Sequence, residues 1–282
     1  MAAETEKEER AYVYMVRCAG GQLYTGWTND PASRLHAHKS GKGAKCTRAL
    51  GAQRFAYLER CTDRSAALRR EAALKKLTKA QKEALCAEWA EKNLPRLSLA
   101  TRADAAEILD IYNWYVLHHT ATFQVTPSSL PEYEDWVDST RALIPLLLAR
   151  DGGGKLLGYA CAHRYHPREA YDWAVESTIY CAPDARGFGV GDTLYRALLD
   201  ILDGMGYWNV YALVADPNPA SERIHARLGF TCVGREPHTA YKFGWLGLST
   251  WWLPLRRGNE KPEPTHPLTQ EQVEEILGRY QA

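Results

Sequence analysis

Residues 185–199 read ARGFGVGDTLYRALL, with glycines at 187, 189 and 191 directly in front of an amphipathic segment. Glycine tolerates backbone conformations closed to other residues and lets a ligand come close to the chain. At the start of a helix the free N–H groups, backed by the positive end of the dipole, form a ready site for a pyrophosphate. The run Arg186, Gly187, Phe188, Gly189, Val190, Gly191 is therefore a candidate phosphate turn between a strand and a helix. A dinucleotide-binding sheet places such a turn after its first strand, with an acidic residue about 20 positions later. Here strand-like runs at PLLLAR, LLGYACAHRY and AVESTIYCA all lie ahead of it, so the turn sits in the middle of its domain.

The chain has 282 residues, enough for about two domains of ordinary size. A helical pattern from Ala80 to Leu94 is broken by Pro95, and Thr101 with Asp104 starts another helix. The pattern predicts two α/β domains, residues 10–93 and 97–257, and a tail rich in proline and charge, 258–282, with a short helix at about 269–279. In the first domain the order is ββαβα: AYVYMVRC and LYTGWT joined by AGGQ, a helix over 32–39, a loop of glycine and lysine, RFAYLER, and a helix over 65–77. In the second, a helix over 103–117 precedes the three strands and the glycine turn with its helix; WNVYALVA, a helix over 219–228 and FTCVGRE follow.

Net charge is +1, but residues 10–97 carry 18 Lys and Arg against 7 Asp and Glu, while residues 98–282 carry 16 against 23. Such a split points to a polyanion partner for the first domain only. No apolar run approaches the roughly 20 residues that span a bilayer, and the polar start MAAETEKEER has no signal-peptide core, so the expectation is a soluble, cytoplasmic protein with no membrane partner. Seven scattered cysteines without a C-x-x-C pair fit reduced thiols rather than a disulfide framework or a structural zinc site.

Tyr12-Val13-Tyr14, Tyr24-Thr25-Gly26, Asn29, Arg34, His38, the GKGAKCTR loop and Glu71 together resemble the GIY-YIG nuclease superfamily over about Tyr12 to Leu85. The resemblance implies a small mixed α/β domain that cleaves phosphodiesters with one divalent metal. It places Tyr14 and Tyr24 near the attacking water, Arg34 and His38 on the phosphate, and Glu71 as metal ligand. A lone carboxylate with hard oxygen ligation suits Mg²⁺ or Mn²⁺. Glu71 also stands four residues before Lys75, the spacing of an ordinary helix-surface ion pair. Lys39, Lys42, Lys45 and Arg48 around the glycine loop suit DNA phosphates, with weak sequence specificity. Two readings stay open: an active endonuclease, or a module that binds nucleic acid without cutting it.

IYNWYVLHHTATF, AYDWAVESTIYCAPDARGFGVGDTLYRALL, ADPNPASERIHARLGF and YKFGWLGLSTWWL resemble the phosphinothricin acetyltransferase branch of the GNAT acyltransferases, over about Leu97 to Leu255. The resemblance implies a central mixed β-sheet flanked by helices, acetyl-CoA as donor, a small primary amine such as an amino acid as acceptor, and a homodimer through this domain. Ile179 and Cys181 would give backbone contacts to the pantetheine arm, Arg186 to Gly191 would hold the pyrophosphate, and Asn218 would sit near the cofactor. Glu176 takes the place of a general base and His225 that of a proton source for the thiolate; the plainer readings are a structural carboxylate and a helix-surface histidine. Thr120, Thr122, Phe123, Arg168 and Tyr171 map to the acceptor side, and Trp245, Trp251 and Trp252 offer an apolar lining. Ser177 stands where a histidine is usual, Asp192 puts a carboxylate beside the phosphate turn, and KFGWLGLS lacks the usual arginine and aspartate.

Overall fold

The computed structural model describes residues 11–185 and 189–280. Arg186, Gly187 and Phe188, the first half of the expected phosphate turn, lie outside the described residues. The chain divides into two compact units, one ending at Leu94 and the other beginning at Pro95.

In the first unit β1 (Ala11–Cys18), β2 (Leu23–Thr28) and β3 (Ala52–Cys61) form an antiparallel sheet of order β2-β1-β3. Around it lie α1 (Pro31–Lys39), α2 (Lys45–Leu50), α3 (Arg64–Lys76) and α4 (Lys79–Asn93). Three of these start at a residue whose side chain accepts a first-turn amide: Asp30 from Ser33, Asp63 from Ala66 and Thr78 from Gln81. The central strand buries Val13, Met15 and Val16 in one core with Leu74, Cys86 and Trp89. The loop expected after α1 contains α2, because KCTRAL holds no helix breaker before Gly51.

The second unit is a seven-stranded mixed sheet of order β4-β5-β6-β7-β8-β10-β9 with helices packed on it. Its strands are β4 (Arg96–Leu99), β5 (Leu147–Arg150), β6 (Leu156–Arg164), β7 (Ala174–Cys181), β8 (Asn209–Asp216), β9 (Thr231–Tyr241) and β10 (Trp245–Pro254). Every neighbouring pair is antiparallel except β7 with β8. The helices are α5 (Ala105–His118), α6 (Leu130–Leu143), α7 (Val190–Gly204), α8 (Pro219–Leu228) and α9 (Gln270–Gly278). Helix α7 buries Leu194, Leu198, Ile201 and Leu202 completely, an i, i+4, i+7, i+8 stripe that seats it on β5, β6 and β7. Truncating one such leucine to alanine costs about 2–5 kcal/mol.

The tail is not a detached extension. Helix α9 places Val273, Ile276 and Leu277 in the same core as α7, and the Tyr280 hydroxyl donates to Asp200 at 2.6 Å. Among the described residues no helix is long and apolar enough to cross a membrane.

Candidate active sites

Strands β7 and β8 pair only at Ala174 with Asn209, Val175 with Val210 and Glu176 with Tyr211. Beyond that point β7 stays on β6 and β8 stays on β10, so the two parallel strands part into a V. Backbone edges left facing each other there are open to an extended ligand, as at any unpaired strand edge. A cavity of about 280 Å³ fills the V, lined by Glu176, Thr178, Ile179, Asn218, Ser221 and His225 with Phe123 and Ala121.

Helix α7 begins beside this wedge. Its N-cap is Gly189, at φ +83°, and among the described residues no side chain caps the first-turn amides. A Cβ on Gly191 would meet Ile224 Cδ1 at 3.3 Å and Cys181 Sγ at 3.4 Å, so the third glycine lets the helix start press against β7. Asp192 does not spoil the positive end of the dipole. Its carboxylate binds Arg196 at 2.8 Å and Arg227 at 3.1 Å; burial works against its charge, but the two guanidinium groups hold its carboxyl below the usual range.

The residues expected around the cofactor distribute unevenly. Ile179 and Asn218 reach the cavity wall, where the Asn218 carboxamide also caps α8 by accepting from Ser221 N at 3.2 Å. Cys181 lies off that wall, its carbonyl accepting the Tyr115 hydroxyl at 2.7 Å.

His225 is 3% exposed rather than on the helix surface. Its Nδ1 lies 2.7 Å from the Ser221 carbonyl, which can only accept, so Nδ1 carries the hydrogen. Burial lowers the His225 pKa against the opposing pull of that carbonyl, which leaves the ring neutral and Nε2 accepting the Tyr195 hydroxyl at 3.0 Å. The Tyr195 oxygen in turn lies 2.6 Å from Ser177 Oγ. With both ring nitrogens committed, His225 holds no hydrogen turned toward a departing sulfur. His225 reaches the cavity wall with both nitrogens bonded, and Ser177 Oγ, also 3.0 Å from the Tyr211 carbonyl, continues the same buried chain.

On the acceptor side only Phe123 lines the cavity. The Thr122 hydroxyl is buried 3.0 Å from Tyr112 Oη, and Thr120 is half-buried. Arg168 and Tyr171 are exposed and off the wall, with Tyr171 stacked on His166. The expected tryptophan lining is not there: Trp245 is exposed against His238, while Trp251 and Trp252 bind Ser249 and Asn209 within the sheet. What holds the Phe123 loop is a residue sequence reasoning missed. Buried Lys242 donates to the Thr122 carbonyl at 2.9 Å and the Tyr115 carbonyl at 3.2 Å, tying β10's hairpin to the end of α5. Lys242→Met is expected to raise the acceptor KM more than it lowers kcat, because it frees the loop and not the base; a pure kcat loss in steady-state assays would contradict this.

In the first unit Tyr14, Tyr24 and His38 converge, with ring centroids 5.1–6.3 Å apart. Gly26 makes room for them, since a Cβ there would lie 2.6 Å from Tyr14 Oη. Thr47 donates to the Ala44 carbonyl at 2.9 Å, which uses its one hydrogen. His38 Nδ1–H therefore donates to Thr47 at 2.7 Å, and His38 Nε2 accepts the Tyr14 hydroxyl at 2.7 Å. Burial, then the nearby Arg34 guanidinium, lowers the His38 pKa and keeps the ring neutral. Burial and then Tyr24 raise Tyr14 well above the usual phenol range, while Arg34 pulls it down. His38 is 2% exposed with both nitrogens bonded inside the fold, to Tyr14 and to Thr47.

Arg34, Lys39, Lys42, Lys45 and Arg48 are all exposed, as a phosphate-facing surface requires. Glu71, its side chain 14% exposed, binds Lys75 at 2.6 Å. On a fully exposed helix face a pair of this spacing contributes only a few tenths of a kcal/mol. No group of three or more His, Cys, Asp or Glu side chains able to hold a metal occurs among the described residues.

Both buried histidines tie stability to pH. Their folded pKa values lie below the ordinary 6.5, so below about pH 6.5 the unfolded chain binds more protons and stability falls as pH falls. The melting temperature is expected to drop between pH 7.5 and 5.5, less steeply in His225→Gln; an equal slope would clear His225 of any part in it.

Residues 10–84 match the model of the GIY-YIG catalytic domain, and residues 108–230 match that of the acetyltransferase (GNAT) family. A phosphinothricin N-acetyltransferase of Streptomyces viridochromogenes is 35% identical over 170 residues, covering 60% of this chain and 90% of that protein. An L-methionine sulfoximine/L-methionine sulfone acetyltransferase of Pseudomonas aeruginosa is 37% identical over 155 residues, covering 54% and 90%. The crystal structure of a phosphinothricin acetyltransferase from Sinorhizobium meliloti in complex with acetyl-CoA superposes with a TM-score of 0.58 at 33% identity, covering 60% of this chain and 93% of that one.

Proposed function

The chain belongs to the acetyltransferase (GNAT) family, and from that premise we propose that its second unit acetylates the primary amine of a small amino acid or analogue, phosphinothricin-like, with acetyl-CoA as donor. The observation that carries this reading is the V between β7 and β8, opening beside the uncapped start of α7. The residues present fit the coenzyme: open strand edges suit the amides of a pantetheine arm, and free N–H groups suit its diphosphate. The relatives named for phosphinothricin and methionine sulfoximine support an amino-acid-like acceptor. When bound, the coenzyme supplies the acetyl group as a thioester.

The protein's part is to present a neutral amine. Glu176, on the cavity wall at the last paired position of β7, takes a proton from the acceptor ammonium, directly or through a water. Phe123, pinned by Lys242, closes the acceptor side. The buried Ser177, Tyr195 and His225 chain fixes the wall opposite. Mixing the protein with acetyl-CoA and a panel of free amino acids, methionine sulfoximine and phosphinothricin, with free thiol followed, tests the reading. Thiol release with one or more is expected, and no release together with no heat of acetyl-CoA binding would end it.

For the first unit we propose metal-dependent cleavage of DNA. Glu71 is a single hard carboxylate, and Mg²⁺ or Mn²⁺ commonly binds through one carboxylate while keeping waters and substrate oxygens as its other ligands. Glu71 would hold the cation, which supplies charge stabilisation at the leaving oxygen. Tyr14 accepts a proton from water as its own moves to His38 Nε2, and Arg34 offers a cation to the phosphate. The Glu71–Lys75 pair, which engages the one expected metal ligand, favours a second reading, a module that binds nucleic acid without cutting it. If Lys39, Lys42, Lys45 and Arg48 each neutralise a phosphate, log K against log salt has a slope of about −3.6 on duplex DNA. A slope unchanged when the four are replaced by Gln would place the DNA elsewhere.

A further inference from the structure

Across the β6–β7 ladder, His163 stands directly opposite Glu176, and its Nε2 lies 3.5 Å from the Glu176 carboxylate. The two side chains differ in surroundings. Glu176 is 22% exposed and forms part of the cavity wall, whereas the His163 side chain is 52% exposed, and His163 is not among the residues lining the cavity. We propose that His163 is the positioning residue that takes the proton from Glu176 and passes it to solvent, resetting the base away from the acceptor. The inference rests on the acetyltransferase reading of the cavity.

Among the described residues, no other neighbouring group suits this. Cys161 on β6 feels the Glu176 charge, but burial pushes its thiol up to about 12. Burial likewise raises Tyr195, which reaches in from α7, and Tyr211, opposite Glu176 on β8; Tyr165 is stacked on Tyr211. Arg164, next along β6, is paired with Asp172 at 2.8 Å. An arginine cannot give up its proton, and phenols and thiols held high stay neutral near pH 7. An imidazole nitrogen can both accept a proton and give it up again, which suits a side chain lying between a carboxylate and solvent to a relay.

The step balances. The acceptor ammonium gives one proton to Glu176, which hands it to His163 Nε2, and His163 releases it to water. The amine nitrogen bonds to the acetyl carbon, the carbon–sulfur bond breaks with its electron pair on sulfur, and a second nitrogen proton ends on that sulfur. One proton per turnover leaves for solvent.

The test is the full-length His163→Gln variant, assayed by thiol release against pH with and without imidazole in the buffer. Turnover is expected to fall about tenfold with acetyl-CoA affinity unchanged. Added imidazole should restore it in proportion to its neutral fraction. A variant as fast as wild type across the pH range overturns the proposal. So does a slow variant that imidazole does not help, since that marks a structural role. Wild-type turnover in the same assay separates the two levels of inference. Its absence with every acceptor would remove the acetyltransferase reading, whereas its presence beside an unaffected His163→Gln would remove only the relay.

Discussion

Glu176→Gln is expected to lower turnover by about 10²- to 10⁴-fold, the range that general-base catalysis contributes, while acetyl-CoA binding measured by calorimetry stays within about twofold. The substitution keeps the side chain's volume and its place at the end of the β7–β8 pairing, so the strands part where they did before. It removes the negative charge, including its attraction for His163, and with it the ability to hold a proton. An ammonium acceptor then stays protonated, and its nitrogen has no lone pair to offer the thioester. Raising pH supplies free amine from solution, so the defect is expected to shrink as pH climbs toward the acceptor's own pKa. A flat defect across pH would mean that Glu176 positions substrate instead of deprotonating it. An undiminished rate would mean that the base is another group on the cavity wall. If Glu176 were only a structural carboxylate, the loss would appear in melting temperature before it appeared in turnover.

The elements with their own local signals could be read from the chain. Pro219–Leu228 was legible because Asn218 caps it, Pro219 sits at its first position and Gly229, at φ +95°, ends it. The same logic was available for α6: Ser129 and Glu132 form a capping box that flanks Pro131 at the start of a helical stripe, yet no helix was expected between α5 and β5. Strand β4 is four residues long and gains its identity only by pairing with β5. A short tail helix was expected from the sequence, but its burial against α7 needs the folded partner. For the sites, residue type and neighbourhood were visible and bonding was not. His38 and His225 look alike in sequence, yet each is kept neutral by burial and is bonded to partners as far as 24 to 30 positions away. Lys242 acts on carbonyls some 120 positions earlier, a contact no local pattern encodes. His163 gains meaning only from the register that sets it against Glu176.

Tyr14→Phe is expected to abolish DNA cleavage to the extent of about 10²- to 10⁴-fold while leaving DNA binding in place, because the cations that face solvent are untouched. The structure makes this a sharp case. Tyr14 is 1% exposed, so its ring stays packed on Phe55, and the loss is confined to the hydroxyl that is bonded to His38. Phenylalanine leaves His38 Nε2 without its donor, which costs about 1–3 kcal/mol of stability but does not remove Arg34 or Glu71. Glu71→Ala, run beside it on branched, nicked, single-stranded and duplex DNA with Mg²⁺ or Mn²⁺, separates the roles. Loss of the carboxylate should weaken the dependence on metal concentration as well as the rate, and it frees Lys75 from its 2.6 Å partner. If cleavage persists in both variants, the cutting activity belongs elsewhere. If wild type binds every substrate and cuts none, the Tyr14–His38–Thr47 chain is a structural remnant and the first unit is a nucleic-acid clamp. The decisive comparison is therefore between wild type and Tyr14→Phe at equal DNA occupancy, where only a proton-transfer role predicts a difference.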